Sequence, residues 1–237
     1  MLGASSLVMG AAIAYLVRMP RWSTASIMSF GCGILISAVA YDLLEDGFEE
    51  GGLLPIVAGA LAGSVAYAVA DWVVSARGGH HRKQSGPGQQ SASQGSGLAI
   101  AIGSLLDGIP ESIVLGLTVI SGKGLSVAMF AAIFLSNFPE GLSSAIGMRH
   151  AGRSPAYVFG LWAVIAVLSG ASSLAGAALL QGAAPQLLAS VNAVAAGALL
   201  TMVVNTMIPE AVDQDHKVTG VLVVVGLLVA FALSNGN

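Results

Sequence analysis

An all-α fold, a polytopic membrane protein of eight transmembrane helices, is what this sequence predicts, from three observations. Apolar residues make up 55% of the 237-residue chain and charged residues 9%, against about 25% charged in a soluble domain. The apolar residues do not alternate with polar ones but run in unbroken blocks long enough to be spans. The cations fall in alternate connections between those blocks. A soluble domain of this composition would have no water-compatible surface left.

The blocks lie at 2–17, 25–44, 53–75, 97–121, 125–147, 156–181, 186–209 and 218–234. The first lacks a preceding basic stretch, because Arg18 follows it, so it is expected to be a retained helix rather than a cleaved signal. The second holds the one cysteine, Cys32, which excludes a disulfide within the chain and is expected to be a small buried residue. The third carries Gly59 and Gly63 at the GxxxG spacing, expected to be an ordinary helix contact rather than a dimer signal. The polar stretch 76–96, ARGGHHRKQSGPGQQSASQGS, has the Gly, Ser and Gln content of a flexible linker. It divides the chain into 1–75, with helices 1 to 3, and 97–237, with helices 4 to 8.

Arg18, Arg21, Arg77, Arg82, Lys83, Arg149, Arg153 and Lys217 are eight of the nine Lys and Arg residues, and alternate connections put them on one side, opposite Lys123. The positive-inside rule makes that side cytoplasmic and places both termini outside. His80, His81, His150 and His216 fall on the cytoplasmic side too. On the outer side Asp42, Glu45, Asp46, Glu49 and Glu50 crowd the end of helix 2 and the turn after it. Glu49 and Glu50 suit a solvated loop. Asp42 and Glu45 lie where the span is ending and could draw cations into an entrance. A net charge of −3 without a basic stripe gives no reason to expect nucleic-acid binding. No Walker motif is present, which argues against ATP hydrolysis.

The chemistry concentrates on helices 4 and 5. Leu106-Asp107-Gly108-Ile109-Pro110-Glu111-Ser112 aligns without a gap with Leu135-Ser136-Asn137-Phe138-Pro139-Glu140-Gly141, 29 residues on. Consecutive spans run in opposite directions, so the segments form an inverted pair of the kind that frames a transporter's midplane site. Each proline lacks an N–H and pushes away the carbonyl four residues earlier. Those carbonyls belong to Leu106 and Leu135, and in a bilayer they must face protein, water or an ion. Asp107 and Glu111 share a helix face, as do Ser136 and Glu140. Convergence would gather three carboxylates, the Asn137 amide, a hydroxyl and the freed carbonyls. A carboxylate at mid-bilayer costs at least ~2.5–3.5 kcal/mol, and no Lys or Arg lies inside a block to neutralise it. A cation entering from outside is the partner left; protonated, hydrogen-bonded acids are the alternative. Asn205-Thr206-Met207-Ile208-Pro209-Glu210 on helix 7 repeats the combination of polar residue, proline and acid.

On these residues the chain resembles the Zrt/Irt-like (ZIP) family of metal transporters. Helix 4 of that family reads HNxPEG and helix 5 carries a second polar-polar-x-P-E-G, matched here by the segments at 107–112 and 136–141. The resemblance covers the eight spans, the outside termini and a His-containing loop between helices 3 and 4. It implies a three-plus-two-plus-three inverted-repeat arrangement and an elevator-like movement of the metal-bearing bundle. It also implies metal ligands at Asp107, Glu111, Ser136, Asn137, Glu140 and Asn205. Asp107 and Gly108 stand where the family has His and Asn, Ser173 where helix 6 often has an acid, and Asn205 and Thr206 where helix 7 has His and Glu. With imidazole gone, the oxygen ligands suit manganese, magnesium or calcium, while carboxylates still accept zinc.

The function expected is transport of divalent cations (zinc, iron or manganese) as cargo, with no resident cofactor. Its partners would be those ions and the lipid bilayer of a bacterial or archaeal cytoplasmic membrane; a homodimer stays open. A non-transporting sensor or scaffold and a membrane-embedded metal enzyme are the alternatives. An enzyme would need an open metal position and a placed acid or base. Nothing beyond the proposed ligands offers these, so no enzymatic activity is expected.

Overall fold

The computed structural model describes residues 2–17, 19–76, 97–120, 127–214 and 217–235. Among the described residues every regular element is helical, and they build eight rods. These are α1 (Leu2–Leu16), α2 (Arg21–Gly51), α3 (Leu53–Val74), α4 (Gly97–Ile120), α5 (Val127–His150) and α6 (Pro155–Leu180). Then come α7, which runs through Pro185–Met202, Val203–Met207 and Ile208–Gln214, and α8 (Thr219–Asn235). By length and composition α2, α3, α6 and α7 can each cross a membrane. The linker expected at 76–96 lies outside the described residues beyond Ala76, as do Arg18, Lys123 and His216.

Two helices outrun their apolar blocks. The acids expected in a turn after residue 44 are helical, because α2 continues through a π-helical Val39–Glu45 and an α-helical Asp46–Gly51. Falling hydropathy marks where apolar surroundings end, not where the hydrogen-bond ladder does. Likewise α7 passes the expected end at 209 and reaches Gln214 through the π-helical Val203–Met207. The break between α2 and α3 is a single residue, Gly52, at φ 80°, a conformation that a Cβ would strain. At the start of α6 the Ser154 side chain accepts from the Tyr157 amide at 3.3 Å, with Pro155 in the first turn.

The packing is inside-out by the standard of a soluble protein. Leu16, Leu54 and Leu179 are 82%, 79% and 83% exposed, while Ser37, Ser143, Ser144 and several acids are buried. Ser6 and Ser29 return their hydroxyls to their own helix, donating to the Gly3 and Ala25 carbonyls at 2.7 Å in each case.

Two bundles share the helices. In one, Leu7, Ala11, Leu142, Ala145, Val158 and Trp162 join α1, α5 and α6 into an apolar core, and α4 packs on α6. In the other, Met28, Leu35, Tyr67, Leu199, Met202 and Ala230 join α2, α3, α7 and α8. Val114 of α4 and Ile133 of α5 reach into this second core. The bundles meet where α2 touches α5, α4 touches α7 and α3 touches α4.

Within the bundles, helices cross backbone to backbone on glycines. Gly63 of α3 lies against the Val194 carbonyl of α7, and Gly197 of α7 against the Ala60 carbonyl of α3. Gly33 of α2 meets Val223 of α8, and Gly226 meets Phe30. Gly10 of α1 meets Phe138 of α5, and Gly141 meets Leu7. Gly116 of α4 meets Ser173 of α6, with Gly176 resting on Ile113. In each pair both glycines follow, by three residues, the residue that touches the partner glycine. A Cβ at Gly33, Gly63, Gly197 or Gly226 would overlap a carbonyl oxygen. Gly59 and Gly63 are thus both taken up by α7 within the chain.

Candidate metal centre on α4 and α5

Both prolines sit inside continuous helices, Pro110 in α4 and Pro139 in α5. Around them Asp107, Glu111, Ser136, Asn137 and Glu140 are all buried, none more than 4% exposed. Glu111 is the point where the helices join. Asn137 Nδ2 donates to its Oε2 at 2.8 Å, and Ser136 Oγ donates toward its Oε1 at 3.3 Å. The Ser136 hydroxyl also has the Ile133 carbonyl of its own helix at 3.0 Å, so it can leave Glu111 without being stranded. A buried carboxylate needs such donors, since an unpaired charge in a low dielectric is costly.

Asp107 is held differently. The Tyr67 hydroxyl, from α3, donates to its Oδ1. Tyr67 is 2% exposed, and this bond ties α3 in one bundle to α4 in the other. Sequence reasoning missed Tyr67. The available signal was a phenol inside an otherwise apolar helix, where a buried hydroxyl demands a partner. Next to Asp107, Gly108 makes room for α6: a Cβ there would come 3.1 Å from Ser169 Oγ. The Ser169 hydroxyl is buried and holds no hydrogen bond.

The remaining expected residues are placed elsewhere on their helices. Asp42, half-buried in the π-helical part of α2, accepts from Ser234 of α8 at 3.4 Å. Glu45 is exposed. Asn205, in the π-helical part of α7, is exposed rather than buried with the α4–α5 residues. Glu210, one turn further on, is 7% exposed.

The structure therefore brings together Glu111, Ser136 and Asn137, and sets Asp107 against Tyr67. Among the described residues no three His, Cys, Asp or Glu side chains stand close enough together to hold one metal ion. What the arrangement offers is carboxylate oxygens held by neutral donors that a cation could displace. No protein-family model matches the chain, and no curated protein matches its sequence.

Proposed function

We propose that the chain is a multi-pass membrane carrier for divalent metal cations, with Glu111 and Glu140 as the principal cargo ligands. The observation that carries this reading is the buried Glu111 shared by two proline-interrupted helices, where it accepts from Ser136 and Asn137. No Lys or Arg occurs in 97–120 or 127–148 to neutralise the acids. Ser136 and Asn137 hold the site between cargoes, and Asp107 joins the ligands once it leaves Tyr67. The resemblance of both proline–glutamate segments to those of ZIP transporters supports the same cargo class, and hard oxygen donors favour manganese within it.

The division into two bundles supports an elevator-like cycle, with α1, α4, α5 and α6 moving against α2, α3, α7 and α8. The glycine crossings support an inverted repeat. Pairing α1 with α6, α2 with α7, α3 with α8 and α4 with α5 turns each crossing into another. All eight helices would span the bilayer. Uptake of manganese and zinc into proteoliposomes tests the reading. Glu111→Gln and Glu140→Gln should each lower uptake at least ~10-fold, as expected where a ligating charge is lost. Parent-like uptake in both variants would dismiss it. A non-transporting metal sensor is the second reading. Metal binding without uptake by the parent would decide for that reading.

A further inference from the structure

A second polar feature lies away from α4, where α1 ends, α2 begins and α5 ends. A cavity of 260 Å³ opens there, lined by Val17, Arg21, Thr24, Ile146, Arg149 and His150 among others. We propose that it is a binding site for a phosphate group.

Four features point to that chemistry. The first is charge: Arg21 and Arg149 both line the cavity, and no Asp or Glu occurs anywhere in residues 1–41 or 141–209. Every wall of the cavity comes from those acid-free segments. The second is donor capacity. Arg149 Nη1 donates to the Ala14 carbonyl at 2.7 Å, which fixes the guanidinium at the rim and uses one of its five N–H donors.

The third is the start of α2. It opens at Arg21, and the first amides to find acceptors are those of Ser23 and Thr24, both on the Pro20 carbonyl. The earlier amides and the helix dipole favour an anion at that end. The fourth is Thr24, which is 1% exposed and lines the cavity, yet its hydroxyl holds no hydrogen bond. A buried hydroxyl left in that condition is destabilising, and an acceptor oxygen in the cavity would satisfy it. A phosphate group supplies several acceptor oxygens and a charge suited to a guanidinium fork.

The phosphate has two sources, a lipid headgroup or a free anion. Trp22, 61% exposed and next in sequence to the lining residue Arg21, is the residue type that anchors at a membrane surface, and it favours the headgroup. That source rests on the membrane reading proposed above. Partition of the chain into detergent tests that reading independently of the cavity.

The delipidated full chain in detergent is incubated with phosphatidylglycerol or phosphatidylcholine and retained lipid is counted by native mass spectrometry. Melting is followed in parallel with inorganic phosphate. Phosphatidylglycerol should be retained over phosphatidylcholine, and Arg21→Gln and Thr24→Val should each weaken retention about tenfold, the scale of one charge-assisted hydrogen bond. Both positions can change without disturbing the Arg149 contact with α1. Stabilisation by inorganic phosphate that both variants lose, with no lipid preference, would assign the site to the free anion. Binding of neither phosphate nor phosphatidylglycerol, or equal binding by parent and variants, would overturn the proposal.

Discussion

At the scale of single residues, the bond from Tyr67 to Asp107 sets a competition. In the proposed carrier the phenol competes with a cation for Oδ1 of Asp107, and Tyr67→Phe removes the competitor while keeping the ring. The variant should lower the KM for manganese uptake about fivefold, the worth of roughly one hydrogen bond; an unchanged KM would mean that Asp107 stays on α3 throughout. Asp107→His exchanges a hard oxygen for a borderline nitrogen and should move competitive uptake from manganese toward zinc. An unchanged metal ratio would remove Asp107 from the ligand set. The meeting of Glu111 with Ser136 and Asn137 was legible in the sequence, because two aligned proline–glutamate segments on neighbouring helices have few ways to face each other. The Tyr67 contact was not. Its partners stand 40 residues apart across the polar stretch, and nothing local in either helix selects the other.

At the scale of elements, the glycine crossings and the π-helical segments decide how rods become bundles. Gly63→Ala would press a methyl into the backbone of α7 and should cost about 1–3 kcal/mol through overpacking. Gly160→Ala on α6, where a Cβ meets nothing within 4 Å, should instead stabilise by about 0.5–1 kcal/mol through helix propensity. Thermal unfolding of both variants in detergent checks the contrast, and equal shifts would show that the α3–α7 approach is looser than described. The positions of the eight rods were legible from apolar blocks alone. Their ends were not, since exposed Glu49 and Glu50 extend α2 without needing an apolar face. Nor were the π-helical segments, because the extra residue in such a turn has no fixed residue type.

At the scale of the whole molecule, α3 and α7 stay together in the proposed cycle while α4 travels past them. The Thr201 and Ser64 hydroxyls are hydrogen-bonded at 2.8 Å between those two helices, so a disulfide from Ser64→Cys with Thr201→Cys should leave metal uptake intact. Uptake lost on oxidation and restored by reduction would show that the bundles are divided elsewhere. The division into two bundles of four was not legible in the sequence, since residue spacing says which face of a helix is polar but not which neighbour it meets. The lone cysteine has its own consequence. Cys32 is fully buried in the core around α2, and a thiol enclosed among apolar side chains is a poor nucleophile and a slow target for oxidants. Thiol chemistry therefore stops at the surface of the fold: neither mixed-disulfide formation with glutathione nor a cross-link to a second copy can reach the chain's one sulfhydryl while the core around α2 stays closed.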